Sequence, residues 1–316
     1  MGIPVGISAC VMGQKVRFDG GHKQNKFAVE ELSKYFKFEP VCPEVGAGMT
    51  VPRPTIRLLA KDEDDIRLVA TKDISEDFTD KMTNFIDKRL PSLNALCGFI
   101  VCAKSPTCGM ERVKLYIENG NTLPGGTTGL FTKRLMQDMP WLPVEEDGRL
   151  QDPVLRENFV ARVYALHDLY ECVKDGITRA AIVNYHSRYK LTLMAHNNVA
   201  YKELGQLVAS IADWDSIDEF FIEYRQKMMD ALTHRASRKN NTNVLMHLQG
   251  YFKRSLTKKQ KAELNAVIFS YSDGLTPLIA PLTLINHYLS EHPDGYLETQ
   301  FYLNPHPADL RLRYAL

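Results

Sequence analysis

The chain has 316 residues, 44% hydrophobic and 24% charged, with 39 basic and 38 acidic side chains for a formal net charge of +1. That composition excludes a disordered or fibrous chain and gives no global pull toward a polyanion. No apolar run approaches the roughly 18 residues of a membrane-spanning helix, and about 100–200 residues per domain predicts two domains. The opening Met1-Gly2-Ile3-Pro4 lacks the charged and apolar regions of a signal peptide, so a cytoplasmic protein without a membrane partner is expected. In a reducing compartment the six cysteines are expected to be buried thiols or ligands rather than disulfides.

In chain order, residues 4–10 form a short apolar run that reads as a buried strand, and Gly13, Gly20 and Gly21 mark a loop after it. Residues 22–35 carry Phe27, Val29, Leu32 and Tyr35 at helical spacing. Residues 38–41 read as a strand ending at Cys42-Pro43-Glu44. Residues 57–59 and 66–69 flank Asp62-Glu63-Asp64-Asp65 and predict a small hairpin. Ser75 is the expected cap of a helix reaching Leu90, with Phe78, Met82, Phe85 and Ile86 on one face. Residues 96–101 predict a central strand that runs into Cys102-Ala103-Lys104-Ser105-Pro106-Thr107-Cys108-Gly109. Residues 124–129 are a glycine-rich loop, and 152–173 read as one long helix closing the domain. This alternation predicts an α/β domain over residues 1–175 with a parallel, Rossmann-like sheet.

From about Thr178 strand signals vanish. Residues 180–208, 217–232, 243–256, 258–271 and 276–289 carry helical periodicity, and Asn304-Pro305-His306-Pro307 reads as a turn or extended segment. An all-α second domain over residues 180–316 is expected. His186, His196 and His247 lie on its helices without ligand spacing and read as core histidines rather than metal ligands.

Chemistry concentrates in the first half. Sites in parallel sheets form outside the carboxyl ends of the strands. Cys10, Cys42 and Cys108 each follow a different predicted strand, so they are expected to converge at one edge. Proline and glycine beside them (Pro43, Pro106, Gly109) fix the backbone and let a bulky inorganic group approach. Three thiolates can hold an iron–sulfur cubane and leave one iron open as a Lewis acid toward sulfur. They can also hold zinc with an open position; the close C-x2-C pair usual for zinc is absent, and spacing alone leaves the metal unsettled. Cys97, Cys102 and Cys172 read as buried small hydrophobes. Glu44, beside a metal, can activate water, and Ser105 can hydrogen-bond a substrate. Lys104 can support a developing anion, and Arg17, Asp19 and Arg53 are candidate substrate contacts in the neighbouring loops.

Three motifs in the same order resemble the thiouracil desulfurase family: Ile7-Ser8-Ala9-Cys10 with Arg17-Phe18-Asp19-Gly20; Pro40-Val41-Cys42-Pro43-Glu44 with Pro52-Arg53; and Lys104-Ser105-Pro106-Thr107-Cys108-Gly109. The resemblance spans about residues 1–150. It implies a 4Fe–4S cluster on Cys10, Cys42 and Cys108 with one open iron, and a catalytic glutamate and serine at Glu44 and Ser105. The activity it implies is hydrolytic removal of sulfur from a thiolated uracil, with hydrosulfide released.

Residues 185–310 resemble the YbgA-like helical domain, through Tyr189-Lys190-Leu191, Leu193-Met194-Ala195-His196, Val244-Leu245-Met246-His247, Gly250-Tyr251-Phe252-Lys253 and Asn304-Pro305-His306-Pro307. The fusion resembles desulfidases that act on 4-thiouridine in tRNA. Residues 231–262 hold no acidic side chain and include Arg235, Arg238, Lys239, Lys253, Arg254, Lys258 and Lys259, with Tyr251 and Phe252 among them. Such a stretch suits a phosphate backbone with aromatics for an unstacked base; it also suits a solvated helix pair with both aromatics in the core. Three readings stay open: a desulfidase for thiolated tRNA, the same enzyme for free thiouracil or a thionucleoside, and a non-enzymatic metal or redox sensor.

Overall fold

The computed structural model describes residues 2–60 and 65–314. The chain divides into two compact units, one ending at Gln151 and the other beginning at Asp152.

The first unit is built on a four-stranded parallel sheet. Its strands are β1 (Ile3–Ser8), β2 (Phe36–Val41), β5 (Phe99–Val101) and β7 (Val144–Glu146), in spatial order β2-β1-β5-β7. Val5, Ile7, Phe99, Ile100 and Val101 are fully buried, which is why β1 and β5 read as continuous apolar runs. Gly6 lies opposite Phe99, and a Cβ there would stand 2.3 Å from the Phe99 ring, so the glycine admits the aromatic between the two central strands. A second, three-stranded sheet has the order β4-β3-β6. In it β3 (Ile56–Ala60) and β4 (Ile66–Ala70) form the expected antiparallel hairpin, and β6 (Leu115–Tyr116) runs parallel to β3. Of the hairpin's acidic turn, Asp62, Glu63 and Asp64 lie outside the described residues.

Helices α1 (Ala9–Met12) and α2 (Pro43–Gly46) are single turns that follow β1 and β2; α3 (Thr79–Arg89) and α4 (Leu130–Asp138) are longer. Two local expectations change. Residues 22–35 form only a π-turn (Phe27–Glu31) and a 3-10 turn (Leu32–Lys34). Ser75 does not cap α3: its hydroxyl bonds Asp73, while Asp77 accepts from the Thr79 amide.

The second unit is helical: α5 (Pro153–Cys172), α6 (Arg179–His196), α7 (Asn198–Ala209), α8 (Ile217–Ala231), α9 (Arg238–Tyr251), α10 (Lys258–Ser272), α11 (Ile279–Glu291) and the short α12 (Gly295–Glu298). The chain parts one helix earlier than the expected 175–180, because α5 packs with the helical half. Ala165 accepts from the Tyr185 hydroxyl at 3.0 Å, Asn158 donates to the Leu232 carbonyl at 3.0 Å, and Asp168 pairs with Arg188. The single helix expected over 180–208 is two. Asn197 leaves the helical region, and its side chain caps α7 through the Val199 and Ala200 amides. The core joins Leu191, Leu245, Leu248, Leu264, Ile268 and Ile285. No helix of the described residues is long and apolar enough to cross a membrane.

Candidate active site

The β1/β5 boundary is where the parallel sheet changes winding direction, the position at which such folds open a crevice. A cavity of about 550 Å3 lies there. Its lining includes Cys10, Cys42, Cys108, Glu44, Ser105, Lys104, Arg17, Asp19 and Arg53, so the structure brings together every candidate ligand, catalytic and substrate-contact residue named in the first half of the sequence. Cys10 sits in the turn after β1, Cys42 is the residue before α2, and Cys108 ends the loop after β5.

That loop is held from two sides. Ser8, buried at the end of β1, accepts from the Cys102 amide at 3.0 Å and hydrogen-bonds the Cys108 thiol. From the other side, the free amides at the start of α4 take the loop's carbonyls: Gly129 N–H to Gly109 at 2.8 Å and Phe131 N–H to Thr107 at 2.9 Å, while the Thr132 hydroxyl reaches Cys108 at 2.7 Å. Gly129 permits this approach, since a Cβ there would stand 2.5 Å from the Thr107 carbonyl carbon.

Glu44 is buried, and both its oxygens are engaged. Oε2 accepts from the Cys42 thiol at 3.3 Å, and Oε1 accepts from the Thr107 hydroxyl at 2.7 Å. Thr107 Oγ1 stands 3.0 Å from Ser105 Oγ, which itself accepts the Cys108 amide at 3.1 Å. A hydroxyl carries one proton, and that of Thr107 is committed to the carboxylate. Ser105 therefore donates to Thr107, giving a directed chain Ser105 → Thr107 → Glu44. Arg53 donates to the Val16 carbonyl at 2.9 Å and lies 3.9 Å from Glu44, while its buried Nε has no protein partner.

Three residues of this site have no distinct signal in the sequence. Thr107 is one. Lys23 lines the cavity and pairs with buried Asp147 at 3.0 Å; Asp147 also accepts from the Ala103 amide at 2.8 Å. Burial works against the Lys23 charge, but the bond to Asp147 and the neighbouring thiols outweigh it and its pKa is raised. The third is Cys102, expected to be a packing residue: it lines the cavity, and its sulfur takes a hydrogen bond from the Cys10 thiol. That bond raises the Cys10 pKa and lowers that of Cys102, with Lys23 adding to the second effect. Burial, then the Glu44 charge, pushes Cys42 up to about 12, and burial raises Cys108 well above an ordinary thiol. These shifts favour the protonated thiols of Cys10, Cys42 and Cys108.

The thiols are distributed around the cavity. Among the described residues no three His, Cys, Asp or Glu side chains converge closely enough for a single ion.

In the helical unit the cationic run does not form one surface. Arg235, Arg238 and Lys239 lie at the start of α9, whereas Lys253, Arg254, Lys258 and Lys259 lie beyond its end, about 20 Å away at 1.5 Å per residue. Arg238 is committed internally, donating to the Tyr271 carbonyl at 2.6 Å with its guanidinium over that ring. Phe252 is buried in the core, while Tyr251 is 48% exposed and stacks on Tyr296. His186 bonds the Tyr224 hydroxyl, His196 bonds the His234 carbonyl, and His247 is exposed.

Comparison with known proteins agrees with this division. The profile of the family described as 2-thiouracil desulfurase matches residues 5–147, and that of a protein family of unknown function, DUF1722, matches residues 190–307. The uncharacterized protein YbgA of Escherichia coli (strain K12) is 40% identical over 159 residues, covering 50% of this chain and 94% of YbgA. Among solved structures, a [4Fe-4S]-dependent thiouracil desulfidase, TudS, aligns at 23% identity with a TM-score of 0.37, covering 48% of this chain and 94% of that one. The chain belongs to the YbgA family through its helical half, and its residues 5–147 match the 2-thiouracil desulfurase model.

Proposed function

We propose that the first unit is an iron–sulfur-dependent desulfidase that hydrolyses the C–S bond of 4-thiouridine in tRNA, giving uridine and hydrosulfide. In this reading Cys10, Cys42 and Cys108 hold a 4Fe–4S cluster through three thiolates. The observation that carries it is one cavity lined both by these three thiols and by the Ser105–Thr107–Glu44 chain. The 2-thiouracil desulfurase profile over the same residues supports it. When bound, the cluster supplies an open, Lewis-acidic iron for the thiocarbonyl sulfur.

The protein's own groups do the rest. Glu44 accepts a proton from the attacking water at an oxygen now held by Thr107 or Cys42. Ser105 and Thr107 return a proton along their chain. Arg53, which lines the cavity 3.9 Å from Glu44, sets positive charge beside that carboxylate. Lys23 and Lys104 set positive charge beside the departing anion. The exposed Lys239, Lys253, Arg254, Lys258 and Lys259, with exposed Tyr251, support RNA contact by the helical unit. The alternative substrate, free thiouracil or a thionucleoside, is supported by a cavity lined wholly by residues of the first unit.

The test is anaerobic reconstitution with iron and sulfide, followed by visible absorbance and hydrosulfide release. Cys10→Ala, Cys42→Ala and Cys108→Ala should lose both. Glu44→Ala and Ser105→Ala should keep the absorbance and lose turnover. Full activity in any variant removes that residue from the scheme.

A further inference from the structure

The cavity lining mixes thiols, charged groups and hydroxyls with aliphatic side chains such as Val16, Val41 and Ile56. Phe18 is the only Phe, Tyr or Trp among the described lining residues, and it is 40% exposed. A part-exposed phenyl ring offers the cavity a flat apolar surface that its aliphatic neighbours do not.

The ring is held in place. The Gly20 amide donates to the Arg17 carbonyl at 2.9 Å and the Arg17 amide donates to Gly21 at 3.2 Å, closing a turn around Phe18 and Asp19. Gly20 takes the left-handed φ of +75° that this turn uses. The Phe18 carbonyl accepts the Arg53 amide at 2.9 Å, which ties the turn to the second cavity wall. The Arg17 guanidinium lies 5.6 Å from the ring centroid, over one face.

We propose that Phe18 is the stacking platform for the pyrimidine ring of the substrate and a determinant of its affinity. This rests on the thiolated-uracil reading above. A flat, polar-edged ring entering the cavity needs an apolar face to lie against, and Phe18 is the aromatic surface there. Its edge groups then meet the charged and hydroxyl side chains of the lining. A base–aromatic stack contributes about 1–3 kcal/mol, which corresponds to roughly 5- to 150-fold in affinity.

Two measurements on reconstituted full-length protein test this: equilibrium dialysis with uracil, the desulfurated base, and the kcat and KM for 4-thiouracil. Phe18→Ala should weaken uracil binding and raise KM about 10-fold while kcat and cluster absorbance hold. Phe18→Tyr should stay near wild type, because the stacking face is kept. Phe18→Ala within twofold of wild type in both constants overturns the assignment. If the wild-type protein neither binds uracil nor releases hydrosulfide, the thiolated-uracil reading fails, and the platform with it. That result differs from a wild type that binds uracil and a Phe18→Ala variant that binds it equally well.

Discussion

Lys104 sits at φ +64°, between a strand end and the loop that carries Ser105 and Cys108. A side chain in that left-handed region costs about 1–2 kcal/mol, part of which glycine would return through its own unfolded-state entropy. Lys104→Gly is expected to stabilise the apoprotein by about 0.5–1 kcal/mol in denaturant melts, whereas Lys104→Ala is not. Equal midpoints for the two variants would show the strain to be absent. Thr107 is the other informative position. Thr107→Val removes the donor to buried Glu44 Oε1 and breaks the proton chain, so kcat should fall about 10- to 100-fold with cluster absorbance intact. Thr107→Ser should recover most of it; a valine variant at full rate would take the threonine out of the chain. Neither role is visible in the residue string, where Thr107 is one motif letter between Pro106 and Cys108. The same holds for Cys102, which ends an apolar run and reads as packing. Its place in the cavity depends on Ser8, 94 residues away, accepting its amide.

Strands β1 and β5 are legible because burial on both faces leaves apolar runs, while β2 is buried only at Phe36 and Val41 and shows as a short segment before Cys42-Pro43; the carboxyl ends of the three strands locate Cys10, Cys42 and Cys108. By contrast, β7 is three residues, two of them the buried Glu145 and Glu146. Glu146 accepts the Met110 amide, 36 residues away, and Glu145 pairs with Arg149 just past the strand end, so partners outside the strand allow charge within it. The α6/α7 break is hidden for a related reason: the apolar pattern continues through it, and only the Asn197 side-chain cap marks the change. The start of α4 carries no sequence signal for its contact with residues 107–109, yet it holds the loop that carries Cys108. Gly129→Ala would drive a Cβ to 2.5 Å from Thr107 and 2.8 Å from the Cys108 amide. The loop must then move, and reconstituted protein should carry well under the wild-type iron per chain. Wild-type iron content in that variant would mean the α4 clamp does not set the Cys108 position.

For the whole molecule, the two-domain α/β-plus-α organisation follows from the change in periodicity near residue 178, while the boundary shifts to Gln151/Asp152 because α5 bonds to α6 and the α8 end. The helical unit should be acid-sensitive. Burial holds His186, His196 and His306 at about 4, against 6.5 when unfolded. Depressed pKa values mean the unfolded chain binds more protons between those limits. Stability is thus full above pH 6.5 and declines as pH falls toward 4, by up to about 1.4 kcal/mol per histidine per pH unit. The helical melting temperature should drop between pH 7 and pH 5; a flat profile would contradict buried neutral imidazoles. The central claim is that three thiols and the Glu44 chain form a desulfidase centre. It is tested most directly by giving the anaerobically reconstituted full chain 4-thiouridine-containing tRNA and free 2- and 4-thiouracil in parallel, and measuring hydrosulfide. The account predicts cluster-dependent hydrosulfide in step with loss of the thiolated base, fastest and salt-sensitive with tRNA. A fully loaded protein that releases none from any of the three would contradict it.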